Sequence, residues 1–435
     1  MKTEINIFWF RRDLRLDDNC GLYHALKSDK KVLPIFIFDE EILSKLDKDD
    51  ARVSFIYQEI ENIHKKLLTI GSALEVHYGK PLEIYNSLSE KNIIDTVYTN
   101  HDYEPYAIKR DLEVQEFLAL KSIHFKTYKD QVIFERNEIV KKDGTPYKVY
   151  TPYSKKWLEA FHFKGIQFYP SETLLENFIK NKNQTILKLD AIGFKKSTIK
   201  VASYKISSEL IDTYEETRNF PAKDSTSKLG THLRFGTVSI RKMVEQASKS
   251  NDITFLKELI WREFFMQILW HFPHTVKDSF KPKYDRILWR NNEEEFKAWC
   301  NGETGYPLVD AGMKELNQTG FMHNRIRMLV GSFLCKHLLI DWRWGEAYFA
   351  KKLHDYEQAS NIGNWQWVAG TGVDASPYFR IFNPTTQIKK FDKDLKYIKK
   401  WVPNFQELTY PTPIVEHKLA RERCLATYKK ALVDF

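Results

Sequence analysis

The side chains able to do chemistry crowd into four segments of the C-terminal half. In LKELIWREFFMQILW, Glu258, Trp261, Arg262 and Phe265 fall at i, i+3, i+4 and i+7. A helix therefore puts an acid, an indole, a guanidinium and a phenyl ring on one stripe. Burying such a stripe is costly unless it faces a polar ligand or a cavity. On this segment alone, an exposed face with Trp261 half-buried is an equal alternative. In GFMHNRIRMLVGSFLCKHLLIDWRW, Asn324, Arg327, Met328 and Gly331 share a stripe, and Gly331 lets a neighbour approach closely. Arg325 points another way. In LHDYEQASNIGNWQWVAG, Asn361 and Trp365 lie one helical turn apart, beside Asp355 and Glu357. Trp365 and Trp367 stand about 200° apart around the axis, so they address two environments. In YEETRNFPAKDSTSKLGTHLRFG, the run Thr226-Ser227-Lys228-Leu229-Gly230 offers hydroxyls, backbone N–H groups and one cation just before a helical pattern. That suits a phosphate or pyrophosphate, although a plain loop has the same composition.

Other chemistries are absent from the sequence. There is no P-loop and no nucleophile elbow. GTGVDA (Gly370–Ala375) has a dinucleotide-type spacing but follows NWQWVA and not a strand, which makes it a loop. His271 and His274 lack a second ligand pair, so no metal is expected. Cys20, Cys300, Cys335 and Cys424 stand far apart without a CxxC, which excludes a zinc ligand set and a disulfide framework. The 67 Lys and Arg residues outnumber the 58 Asp and Glu, and the net charge of +9 favours a polyanionic partner. No apolar signal core opens the chain, and no stretch nears the ~20 apolar residues of a membrane span. A reduced, cytoplasmic protein without membrane contact is expected.

The elements that position these segments divide near the middle. Over the first 130 residues, apolar runs alternate with amphipathic patterns. Ile5–Phe10, Val32–Phe38, Leu74–Tyr78, Ile93–Thr99 and Ile123–Lys129 are expected strands; Ala51–Leu68 and Tyr106–Leu120 are expected helices. Such alternation implies an α/β domain with a parallel, doubly wound sheet. Residues 131–203 are less regular and form a linker, with a polar connector at Glu176–Lys188. Residues 204–435 are a larger all-helical domain, with helices at Thr254–Trp270, Ala311–Asn317, Asn324–Leu339, Gly345–Leu353 and Ile414–Leu432.

Longer stretches carry a resemblance. WFRRDLRLDDN (Trp9–Asn19), TGYPLVDAGM (Thr304–Met313), HNRIRMLVGSFLCKHLLIDWR (His323–Arg343), GNWQWVAGTGVDASPYFRIFNPTTQ (Gly363–Gln387) and YPTPIVEHKLAR (Tyr410–Arg421) match the photolyase/cryptochrome family in order and spacing. Within it the chain is most similar to bacterial class I cyclobutane pyrimidine dimer photolyases. The resemblance implies FAD folded into a U within the helical domain, doing electron chemistry that no side chain can do. It assigns Tyr214, Thr226, Ser227, Lys228, Leu229, Gly230 and Arg262 to the FAD phosphate side. It assigns Arg327, Asp355, Tyr356 and Glu357 to the flavin edge. Asn361 would face the flavin's central-ring nitrogen, where a neutral amide suits either protonation state. Trp365, Trp342 and Trp289 match a relay of tryptophans from flavin to surface. Glu258, Trp261, Asn324, Met328 and Trp367 match the pocket for a flipped-out dimer, with the two indoles as flanking platforms. Arg218, Arg325 and Gln387 match positions near the DNA backbone.

The implied activity is light-driven repair of cyclobutane pyrimidine dimers in DNA, by a monomer. Two departures stand out: Gly230 replaces a common Ser, and Glu357 replaces a common Asp. Tyr106 and Ala107 stand where folate-using members have Asn-Glu, so the second, light-collecting chromophore would be a deazaflavin or flavin near Arg52 and Asp102, or none. A (6-4) photolyase would need paired histidines where Asn324 and Arg325 stand. A cryptochrome-type blue-light sensor shares the flavin and the relay and is the main alternative.

Overall fold

The computed structural model describes residues 4–181 and 185–433, so part of the connector at Glu176–Lys188 lies outside the described residues. Five strands, β1 (Glu4–Phe10), β2 (Val32–Asp39), β3 (Glu75–Gly79), β4 (Ile93–Asn100) and β5 (His124–Tyr128), pair in parallel in the order β3-β2-β1-β4-β5. Runs such as INIFWF are apolar but for Asn6, which is buried and hydrogen-bonded, because both faces of the sheet are covered. Phe8 and Phe10 of β1 join Leu22 of α1 (Cys20–Leu26) and Val53 and Leu67 of α2 (Ala51–Thr69). The alternate residues Ile7 and Trp9 join Leu88 of α3 (Pro81–Lys91) and Val114 of α4 (Pro105–Leu120). Local signals start these helices. Asn19 caps α1 by accepting from the Leu22 N–H, and Pro81 and Pro105 open α3 and α4, where no N–H is needed. The sheet is thus the doubly wound parallel sheet expected. Its order reverses between β1 and β4, the crevice where such sheets take ligands.

The packing divides into two compact units. One comprises the described residues of Met1–Glu138, Glu159–Ala202 and Leu229–Lys249; the other comprises those of Ile139–Leu158, Ser203–Lys228 and Ser250–Phe435. Residues 229–249 therefore pack with the α/β unit and not with the helical region that begins at 204. The cause is buried charge. Arg241 pairs with Asp18 at 2.8 Å and with Asp130 at 2.7 Å, and Arg15 pairs with Asp130 at 2.8 Å. Gly236 (φ 63°) lies so close to Arg12 that a Cβ would stand 2.2 Å from the Arg12 carbonyl. No sequence period reports such pairings.

The second unit is helical. Its site-bearing elements are α5 (Tyr150–Lys164, of which Tyr150–Leu158 belong here), α6 (Thr254–His271), α7 (Asn324–Ser332), α8 (Trp342–Lys352), α9 (Gln358–Ala369) and α10 (His417–Val433). Two features differ from expectation. Helix α5 arises in the stretch assigned to an irregular linker. The helix expected over Asn324–Leu339 is α-helical only to Ser332; a π-helical turn spans Phe333–His337, where the Leu338 N–H donates to the Phe333 carbonyl at 3.1 Å. All four cysteines are buried and free, and among the described residues no helix is long and apolar enough to cross a membrane.

Candidate functional site

Helices α7, α8 and α9 enclose a cavity of about 580 Å³, its open mouth included. Asn324, Arg327, Met328 and Gly331 all line it, so the stripe read on α7 is its wall. Asn361 and Trp365 of α9 line it together, as their one-turn spacing requires. Trp367, on another side of α9, does not line it and is half-buried. The loop before α9 adds Asp355, Tyr356 and Glu357.

The polar groups of this cavity are held in fixed directions. Arg327 makes a two-pronged pair with Asp355, at 3.1 and 2.9 Å, while its Nε donates to the Met322 carbonyl at 2.7 Å. Such bidentate geometry orients both side chains. Asn361 Nδ2 donates to the backbone carbonyl of Glu346 at 3.1 Å and to its Oε1 at 2.9 Å. A backbone carbonyl only accepts, so the amide nitrogen must face Glu346. Both N–H groups are thereby used, and Asn361 Oδ1 is left as an acceptor. Burial pushes the Glu346 carboxyl above the usual range, against the hydrogen bonds from Asn361 and Tyr356. Glu346 escaped the sequence reading. It lies one turn after Trp342 on α8, but nothing in the sequence says that this side chain turns inward.

The α6 stripe is assembled but is not part of the cavity wall. Glu258 pairs with Arg218 at 2.6 Å. Trp261 lies flat against Tyr150 of α5, ring centroids 3.6 Å apart and planes within 6°. Tyr150 was also missed, because it sits in the stretch read as linker. Its hydroxyl donates to the Lys257 carbonyl at 2.8 Å, which fixes the ring over α6. Arg262 stands 3.8 Å from buried Glu357, and through Glu357 the stripe reaches the cavity. Glu357 thus keeps an ionic partner despite departing from Asp. Phe265 packs against Gly363, where a Cβ would lie 2.2 Å from its ring.

The three tryptophans differ in their surroundings. Trp365 is buried edge-on to Phe349 (4.9 Å) and Trp299 (6.2 Å). Trp342 is buried, and its indole N–H has no hydrogen-bond partner. Gly345, one turn on from Trp342, is pressed so closely that a Cβ would stand 2.1 Å from Trp365 Cη2. Trp289 is half-buried; next to it, the Arg290 N–H donates to the Leu339 carbonyl and Asn291 Oδ1 accepts from the Asp341 N–H.

Other sequence candidates lie outside the cavity wall. Tyr214 packs edge-on against Phe255. Lys228 adopts φ 53° and pairs with Asp224 at 2.7 Å; Thr226 and Ser227 precede it, while Leu229 and Gly230 belong to the α/β unit, Gly230 opening a short helix. Arg325 bonds to Asn219 and stacks on Phe391 at 4.4 Å. Gln387 is half-buried on the helix Pro384–Phe391. Residues 370–375 form a loop, as expected. In the α/β unit, Arg52 chelates Asp50 at 2.6 Å. Asp102 pairs with Arg12 at 2.9 Å; burial alone would raise its pKa, but Arg12 and Arg234 hold it well below the usual range. Among the described residues no cluster of His, Cys, Asp and Glu could hold a metal ion.

Residues 6–172 match the family described as DNA photolyase, and residues 255–409 match the FAD binding domain of DNA photolyase. A deoxyribodipyrimidine photo-lyase of Agrobacterium fabrum is 36% identical over 474 aligned positions, covering 98% of each chain. A bacterial class III photolyase from Agrobacterium tumefaciens superposes with a TM-score of 0.87 at 34% identity, over 99% of this chain and 98% of that one. An archaeal photolyase from Sulfolobus tokodaii, solved with two FAD molecules, gives 0.83 at 33% identity, over 98% and 100%.

Proposed function

The chain belongs to the photolyase/cryptochrome family, and from that premise we propose that it is a deoxyribodipyrimidine photo-lyase that repairs cyclobutane pyrimidine dimers in DNA. The observation that carries this reading is that Asn361, the Arg327–Asp355 pair and Trp365 line the same cavity.

The cavity suits a flavin. Its lining mixes apolar Phe349, Leu353, Trp365 and Val368 with a few fixed polar groups, as small-molecule sites do. Gly331 lets α9 close against α7, since a Cβ there would stand 3.1 Å from Val368 and 3.6 Å from Trp365, and Asn361 Oδ1 offers an acceptor for a ring N–H. When bound and reduced, FAD supplies a light-excited electron that a dimer can accept and return. The protein's part is position and electrostatics. Arg327 and Asp355 would offer the ring edge a paired cation and anion, with Tyr356 and Glu357 on the same lining. Tyr214, Thr226, Ser227, Lys228, Leu229, Gly230 and Arg262 serve the phosphate side. Trp365, Trp342 and Trp289 would supply electrons from the surface to a flavin held in the cavity.

The lesion side uses different residues. A dimer is poorly stacked and poorly paired, so flipping it out costs less than flipping normal bases. Trp261 and Trp367 flank it as platforms, Glu258 and Asn324 hydrogen-bond its base edges, and Met328 packs on it. Arg218, Arg325 and Gln387 hold the backbone, helped by the +9 charge. A second chromophore, a deazaflavin or flavin, is placed by this proposal in the α/β unit near Arg52 and Asp102; two FAD molecules in the archaeal relative support it. The relatives favour a photolyase, and the one whose class is named is class III, so the class I assignment is part of the proposal.

The test is direct. FAD-loaded protein, chemically reduced and given a thymine-dimer oligonucleotide, should remove the lesion under blue light and not in darkness. Photoreduction without lesion loss would overturn the repair assignment in favour of a sensor.

A further inference from the structure

Trp342 lies beneath a fixed guanidinium. Arg343 Cζ stands 4.8 Å from the Trp342 ring centroid. Three neighbours pin it there: Nη2 donates to Asp285 Oδ1 at 2.9 Å, Nη1 to both Asp341 oxygens at 3.2 Å, and Nε to the Lys277 carbonyl at 2.6 Å. Trp342 is also the first residue of α8, so the partial positive charge of a helix N-terminus is added.

A cation over a ring face stabilises a neutral indole. An indole that has lost an electron is itself a cation, and the same guanidinium then repels it. We propose that Arg343 gives the tryptophan relay its direction, by making Trp342 a poor resting place for an electron vacancy and driving that vacancy outward to Trp289. The inference rests on the assignment of Trp365, Trp342 and Trp289 as a relay.

The steps balance as single electrons. Trp365, oxidised by light-excited FAD, takes one electron from Trp342. No proton accompanies it, because the enclosed Trp342 N–H has no acceptor. Oxidised Trp342 then takes one electron from Trp289. That ring is half-buried, and its oxidised form releases the N–H proton to water. A thiol in solution restores it with one electron and one proton.

The two carboxylates fix the signs of two substitutions. Arg343→Gln leaves Asp285 and Asp341 uncompensated, so the vacancy rests more easily on Trp342. Asp285→Asn leaves the guanidinium less offset and acts the other way. One unit charge at this distance, in a medium between protein and water, shifts the Trp342/Trp289 population ratio by roughly tenfold.

The experiment uses the full FAD-loaded chain with the flavin oxidised and a thiol present. Nanosecond absorbance follows oxidised tryptophan, and steady illumination gives the photoreduction yield. Arg343→Gln should raise the vacancy on Trp342 about tenfold and lower the yield. Arg343→Lys should recover part of the loss, and Asp285→Asn should lower the vacancy on Trp342. Parent-like signals in Arg343→Gln, with photoreduction abolished by Trp365→Phe, would overturn the role of Arg343 alone. Undiminished photoreduction in Trp365→Phe would overturn the relay itself. If Arg343→Gln does not fold, Asp285→Asn decides: a rise or no change in the Trp342 vacancy sinks the inference.

Discussion

Adding one methyl group at Gly345 tests how tightly the indole nearest the cavity is held. In Gly345→Ala the new Cβ would lie 2.1 and 2.4 Å from Trp365 Cη2 and Cζ3, and 2.6 Å from Leu334 Cδ2. Ordinary contacts begin near 3.4 Å, so the ring must move by more than an ångström. It has little room. Trp365 is only 3% exposed and is boxed by Phe349 and Trp299. Overpacking of this kind costs typically about 1–3 kcal/mol, and three close contacts argue for the upper end. Alanine returns about 1 kcal/mol of helix propensity. The net expectation is a loss of about 2 kcal/mol, or a fall in melting temperature of about 4–8 °C for a unit of this size. Differential scanning calorimetry of the FAD-loaded parent and variant measures it, and photoreduction yield reports whether the displaced indole still conducts. A variant that melts at or above the parent temperature, with unchanged yield, would refute the claim that Gly345 fixes Trp365.

Three further outcomes are expected. Trp365→Phe should stop light-driven reduction of oxidised flavin while chemically reduced enzyme still repairs dimers; lost repair in that assay would mean the relay is misassigned. Trp261→Ala should weaken binding to dimer-containing DNA by about 1–3 kcal/mol in a filter or anisotropy titration, and unchanged affinity removes its platform role. His323, which caps α7 by accepting from the Arg325 N–H, is held down to a pKa of about 4 by burial and by Arg327, Arg325 and Arg218, against 6.5 when unperturbed. Between those values the unfolded chain binds the extra proton. This residue's contribution is therefore lost as pH falls through that window, by up to about 1.4 kcal/mol per pH unit. His323→Asn keeps a capping acceptor without a titrating ring, so urea midpoints at about pH 5 and pH 7 should differ less than in the parent; an equal difference rules His323 out as a source.

The sheet was legible because its strands are short apolar runs bounded by turns, and all five appear within about two residues of their expected limits. On α7 and α9, helical spacing alone put Asn324, Arg327, Met328 and Gly331 on one wall and separated Trp365 from Trp367. What escaped depends on contacts between distant residues. Helix α5 does carry a one-face row, Tyr150, Tyr153, Trp157 and Phe161 at i, i+3, i+7 and i+11, but Pro152 in its first turn and the exposed Phe163 obscure that period. Residues 229–249 join the α/β unit through Arg241, whose partners Asp18 and Asp130 lie more than a hundred positions away. The inward turn of Glu346 and the stacking of Tyr150 on Trp261 likewise leave no trace in local spacing.

The Tyr150–Trp261 stack has one more consequence. Tyr150 covers one face of that indole, held there by the Lys257 carbonyl, and Phe265 lies against the same ring with centroids 5.5 Å apart. Threading a base between the two rings would first require breaking their stack. Trp261 is thus already ordered by its neighbours, so under the proposed function little of its freedom is left to lose on binding.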